Sequence, residues 1–279
     1  MKVLITGKNG QLGFDFYQLL KGKEDVVAAG RDDFDVTDLD SANKFIREYM
    51  PDIVIHCAAY TKVDDSEKHI DIAYKVNAIG SGNIASICSD IGAIMVYIST
   101  DYVFDGEKSM PYNEFDIPNP INVYGKSKLT GENIVKEILD KHYIVRTSWL
   151  YGKNGNNFVK TMLRLSKMKD EIKVVNDQHG TPTYTKDLAE GIYFLIKSGA
   201  YGIYHMTNSG MTTWYEFARK IFELSGIKTQ VMPISSEEYN SPAKRPKYSV
   251  LDNFILRHRF DYKLRNWEDA IKEFLIGLD

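Results

Sequence analysis

Tyr124 and Lys128 stand four residues apart in the stretch Tyr124-Gly125-Lys126-Ser127-Lys128. In a helix that spacing puts both on one face, a turn from each other. A phenol with an ordinary pKa of about 10 is a poor proton donor or acceptor near neutrality. A neighbouring ammonium favours the phenolate and brings the group toward the useful range. Taken alone the pair is a common helix-surface coincidence, with the lysine solvated. It becomes chemistry only where the chain sets a cofactor beside it. Gly7-Lys8-Asn9-Gly10-Gln11-Leu12-Gly13 lies between a strand-like apolar run at 2–6 and a helix-like run at 14–20. The first glycine permits a tight turn, the second lets the backbone approach a pyrophosphate, and the third lets the helix pack closely on the sheet. The helix N-terminus then offers N–H groups and a partial positive charge to phosphates. Ser99-Thr100-Asp101 ends a further strand-like run at 94–98. Hydroxyls at the carboxyl end of such a strand are placed either to hydrogen-bond a substrate oxygen or to cap a loop.

The rest of the first 150 residues alternates strands and helices, which argues for a doubly wound parallel sheet. A strand at 25–29 runs into Gly30-Arg31-Asp32-Asp33. A carboxylate there holds a ribose 2′-hydroxyl, whereas an arginine suits a 2′-phosphate, so the stretch leaves NADH and NADPH both open. A strand at 53–57 leads into the small residues Ala58 and Ala59 and then Tyr60, which let a ligand approach the backbone. Helical periodicity spans 70–90, with Asn77 inside it, read as a bridge between backbone groups. A proline-containing loop at 110–123 delivers the chain to Tyr124, whose helix is expected to run to about residue 142 before a fifth strand at 143–147. Residues 1–150 with roughly 182–210 are expected to form the dinucleotide-binding Rossmann domain. Roughly 151–181 with 211–279 are expected to form a smaller substrate-binding domain.

Composition narrows the function classes. The chain has 279 residues, 43% hydrophobic and 26% charged, with a formal net charge of −3. That balance gives no general attraction to nucleic acid or to an anionic membrane. Cys57 and Cys88 have neither a CxxC partner nor a neighbouring histidine cluster, and read as small buried hydrophobes in a reducing compartment. No run has the length of a signal peptide or a membrane span, so the cytoplasm is the expected location.

Thr6 to Gly13, Ser99-Thr100-Asp101 and the Tyr124/Lys128 pair together resemble the extended short-chain dehydrogenase/reductases. Within them the chain is similar to the dTDP-4-dehydrorhamnose reductase family. The similarity rests on Ser99 to Phe104, Arg146 to Trp149, Gly155 to Phe158, Asn176-Asp177-Gln178, Thr212-Thr213-Trp214 and Pro242 to Pro246, which span nearly the whole chain. The resemblance implies NADPH- or NADH-dependent reduction of the C4 ketone of dTDP-4-dehydro-L-rhamnose by a monomer or homodimer. Thr100, Tyr124 and Lys128 would be catalytic, with Lys128 also holding the nicotinamide ribose. Gly7, Gly10, Gln11, Leu12 and Gly13 would take the pyrophosphate turn. Arg31, Asp35, Val36, Ala58, Ala59, Tyr60, Asn77 and Ser99 would complete the cofactor site. Thr100, Asp101, Trp149, Asn157 and Arg245 would meet the dTDP-sugar. Some relatives dimerise through a carboxylate-bound magnesium. Here Asp15 stands at one expected position but Lys186 at another, and a protonated lysine is no ligand, so no metal is expected. The rival readings are another nucleotide-sugar 4-ketoreductase or epimerase, and a non-catalytic NADP-binding regulatory subunit.

Overall fold

Apolar residues fill every position at 3–5, 53–55 and 143–145, the pattern of strands covered on both faces. In the computed structural model, which describes residues 1–278, these runs lie in one six-stranded parallel sheet. Its strands are β1 (Lys2–Thr6), β2 (Asp25–Ala29), β3 (Ile53–His56), β4 (Ile94–Thr100), β5 (His142–Thr147) and β6 (Gly202–His205). They are ordered β6-β5-β4-β3-β1-β2 across the sheet. Val3, Ile5, Ile55, Val96 and Val145 face a core shared with the helices Gln11–Leu20 and Thr185–Lys197. Leu4, Val54, Met95, Tyr97 and Ile144 face the opposite core, which Ile46, Ile84 and Val135 complete. The chain order reverses between β1 and β3. A crevice opens outside the carboxyl ends of strands at such a switch point, so the topology itself locates the ligand cleft.

Beyond Trp149 a second core gathers Tyr151, Val159, Ile172, Phe217, Ile221, Trp267 and Phe274, among short two-stranded pairings and the helices Trp214–Leu224 and Trp267–Ile276. Residues 253–264 do not follow it: Leu256 and Leu264 pack into the sheet's own core. The Tyr124 helix runs from Val123 to Ile138, shorter than its periodicity predicts, because His142 is already paired with Met95 in the sheet. The helical stretch from Ile70 to Ile91 is continuous but changes pitch, with Lys75–Gly80 wound as a π-helix. Among the described residues no helix is long and apolar enough to cross a membrane.

Candidate active site

The cleft at the switch point has a volume of about 1070 Å³ and is walled by the ends of β1, β3 and β4 and by Trp149 and Trp214. Gly7 turns the chain out of β1 with φ +73°, and a Cβ there would lie 2.9 Å from the Ala58 nitrogen. Only glycine accepts that conformation beside a neighbouring backbone at this distance. No side chain caps the helix Gln11–Leu20, and its N-cap is Gly10. Its first N–H groups are therefore left for an anion. Gly7, Gly10, Gln11, Leu12, Gly13, Ala58, Ala59 and Tyr60 all line the cleft, as do Arg31, Asp35 and Val36 at its far end. The glycine turn, the uncapped helix start and a cleft of this volume fit a dinucleotide.

The chemical groups meet on the other wall. Asn122 caps the Tyr124 helix by accepting the Gly125 N–H at 2.8 Å, and Tyr124, Lys128, Thr100 and Asp101 all line the cleft. Burial pushes the Tyr124 phenol up to about 12, opposed by the Thr100 hydroxyl within hydrogen-bonding reach and reinforced by Asp101. The sequence reading expected the lysine to lower it. The sign differs because Tyr124 loses water on folding, while the Lys128 ammonium sits over the ring of Tyr97, 4.0 Å from its centroid. Lys128 is itself buried, which pushes it down to about 7 against the pull of Glu132. Thr100 donates to Asp101 Oδ1 at 3.0 Å. Asp101 Oδ2 is buried without a partner, and burial raises the carboxyl to about 7.

A buried polar layer sets these groups. Asn77 is fully buried and bridges as expected: its Oδ1 accepts the Tyr60 N–H at 2.8 Å, and its Nδ2 donates to the Tyr60 carbonyl at 3.1 Å and to Ser127 Oγ at 2.9 Å. The π-helical winding of 75–80 carries this residue. Ser81 Oγ donates to the Asn77 carbonyl at 2.9 Å, so His56 Nε2, 3.2 Å away, is the donor to Ser81. His56 Nδ1 then accepts from Thr6 Oγ1 at 2.9 Å, and Thr6 Oγ1 accepts the Ala58 N–H at 3.2 Å. One directional chain thus ties the glycine turn to the tyrosine helix. Ser99 lines the cleft, but its hydroxyl donates to Glu132 at 2.5 Å, and Glu132 holds Arg146 at 2.9 and 2.7 Å.

Several expected contacts are differently employed. Arg245 does not line the cleft; Asp64 grips its two terminal guanidinium nitrogens at 3.0 and 2.9 Å. Asn157 lines the cleft, yet its amide donates to Gln11 and to the Gly152 carbonyl, both at 2.9 Å, and its oxygen caps the next helix. It fastens the helix that follows the glycine turn to the second unit. Trp149, at φ +47°, stacks on Trp214 with ring centroids 3.5 Å apart. Trp214 entered the sequence reading only within the segment Thr212-Thr213-Trp214 and not as a site residue, because only the fold brings it to Trp149. Glu132 was also missed, although its place eight residues after Tyr124 on the same helix face was a usable signal. Asp15 accepts from Thr185, and Lys186 pairs with Glu273 at 2.7 Å. Among the described residues no three acidic, histidine or cysteine side chains gather as a metal cage.

Residues 1–278 match the family described as RmlD substrate binding domain. The spore coat polysaccharide biosynthesis protein SpsK of Bacillus subtilis is 44% identical over 275 residues, covering 98% of this chain and 96% of that protein. A dTDP-4-dehydrorhamnose reductase structure from Clostridium acetobutylicum superposes with a TM-score of 0.97 at 51% identity, covering 100% of this chain and 99% of that one. The dTDP-4-dehydrorhamnose reductase of Bacillus anthracis, solved in complex with NADP, gives 0.97 at 48% identity and covers 99% of both chains. A likeness that runs through the sheet and the unit beyond it alike puts the chain in one family: it belongs to the dTDP-4-dehydrorhamnose reductases, within the extended short-chain dehydrogenase/reductases.

Proposed function

We propose that this chain reduces the C4 ketone of dTDP-4-dehydro-L-rhamnose to dTDP-L-rhamnose with NADPH, the last step of dTDP-rhamnose biosynthesis, in the cytoplasm. The observation that carries the reading is the phenol of Tyr124. It is held protonated by burial beside Thr100, across a cleft that fits a dinucleotide. The dinucleotide, when bound, supplies the hydride. Tyr124 gives its proton to the C4 oxygen as that atom becomes an alkoxide. A phenol with a raised pKa keeps this proton until such a strong base appears. Thr100 orients the same oxygen, and Lys128 holds the nicotinamide ribose. Asp101, whose carboxyl burial raises to about 7, lines the cleft next to Thr100 and is placed to meet the sugar. Trp149 and Trp214 form the apolar wall for the sugar nucleotide. Arg245 reaches a phosphate only by exchanging Asp64 for it.

Turnover of dTDP-4-dehydro-L-rhamnose, followed as loss of the reduced nicotinamide's absorbance with dTDP-L-rhamnose identified as product, tests the assignment. Turnover of a GDP- or UDP-linked 4-ketosugar in its place would refute it.

The cofactor rim favours NADPH. Asp33, an acid placed to hold a ribose hydroxyl, is already engaged by the Gly30 N–H at 2.7 Å and by Lys8 at 2.5 Å. Arg31 is 87% exposed, with only Asp35 beside it at 3.3 Å. It can turn to a 2′-phosphate at little cost. Arg31→Ser should raise the KM for NADPH about tenfold and leave that for NADH unchanged. Steady-state kinetics with each cofactor decide this, and equal effects on both would remove Arg31 from phosphate recognition.

A further inference from the structure

We infer that Tyr97 is a positioning residue whose aromatic face holds the Lys128 ammonium and aims it into the cofactor cleft. The inference rests on Lys128 being the residue that holds the nicotinamide ribose. Tyr97 lies on β4, wholly buried, and the Lys128 Nζ stands 4.0 Å from its ring centroid. A cation this close to a ring face is attracted by the negative side of its quadrupole, the more so when water is excluded. The ring cannot turn away. Its hydroxyl donates toward the carbonyls of Asn77 at 3.2 Å and Lys128 at 3.1 Å, and a Cβ at position 131 would collide with that oxygen, which explains Gly131. Tyr97 is thus pinned to the same helix turn whose side chain it supports.

The surroundings leave the ammonium little else. Among the described residues no carboxylate forms an ion pair with Lys128. Glu132, one turn along its own helix face, is committed to Arg146 of β5 and to Ser99. From β3 and the residue after it, His56 and Cys57 face it. Burial drives the imidazole down to about 3 and the thiol up to about 12, so both are neutral at physiological pH. Tyr124 and Tyr97 are held as neutral phenols. Glu132 pulls on the charge from one turn away while paired to Arg146, and the ring face supports the ammonium by direct contact.

The test compares Tyr97→Phe, which keeps the face and removes the hydroxyl, with Tyr97→Leu, which removes the face. The dissociation constant of NADPH is measured without sugar from about pH 6 to pH 9, the range into which burial brings the lysine. Affinity should fall with rising pH in both proteins, with the midpoint about one pH unit lower in the leucine variant. Lys128→Met, made together with Asp101→Asn so that the other cleft group raised to about 7 does not titrate, should abolish the titration. Phenylalanines with increasing ring fluorination at position 97 keep the shape and should move the midpoint down stepwise, which covers the case in which the leucine variant does not fold. Coincident midpoints for Phe and Leu, a midpoint indifferent to fluorination, or a titration surviving in the Lys128→Met/Asp101→Asn double variant would each overturn the proposal. The measurement needs no ketosugar, so an error in the substrate assignment leaves it intact.

Discussion

Tyr124→Phe is expected to lower kcat by about 10²–10⁴-fold while NADPH still binds with nearly unchanged affinity. The substitution removes one oxygen from a buried ring and keeps the shape. The ring still packs edge-on against Tyr102, with centroids 5.9 Å apart. What disappears is the proton delivered to the C4 oxygen, a contribution made only as the ketone becomes an alkoxide. Such a loss falls on kcat and kcat/KM alike, with substrate binding nearly unaltered. The sign of the pKa shift makes a further demand. Because burial raises the phenol to about 12, the proton stays in place through neutral and mildly alkaline pH. An alkaline fall in rate near neutrality therefore belongs to Lys128, brought down to about 7, or to Asp101, raised to about 7. A Tyr124→Phe enzyme with wild-type kcat would exclude the phenol as proton donor.

The parts of this site that could be read from the sequence are those set by short spacings. Three glycines between a strand and a helix demand a turn that only backbone can approach, and Gly7 duly meets the Ala58 backbone. Tyr124 and Lys128 needed only a helix between them. Asn77 could be recognised because a polar residue amid packing positions must find partners. Other features depend on contacts that no local pattern encodes. Arg245 is claimed by Asp64, 181 residues earlier in the chain, so a basic loop that reads as free for phosphate is already paired. Trp149 meets Trp214 only once the second unit has folded. The direction of the Tyr124 shift turns on desolvation, a property of the whole surrounding fold, whereas the sequence displays only the nearby lysine.

Glu132→Ala should destabilise the protein by about 3–5 kcal/mol, because it strands a buried guanidinium. Glu132 is fully buried and Arg146 is 2% exposed. The carboxylate accepts from Nε and the terminal nitrogen of Arg146 and from Ser99, and without it those donors have neither acid nor water. The Phe104 ring, 5.3 Å from the guanidinium, and a His205 nitrogen at 3.5 Å cannot replace an anion. In a chain of this size the loss corresponds to a melting temperature lower by about 10 °C. Thermal denaturation of Glu132→Ala beside the double variant Glu132→Met/Arg146→Met separates the possible causes. If the harm comes from the orphaned charge, the double variant recovers most of the stability, since an apolar pair of similar volume avoids the desolvation cost altogether. A double variant as unstable as the single one would put the cost in packing instead. A stable double variant raises the sharper question of why an ion pair occupies this place. Glu132 stands one turn from Lys128 and opposes the burial that strips its charge. The stable double variant should then still bind NADPH more weakly than wild type as pH rises, which separates what the pair does for the fold from what it does for the lysine.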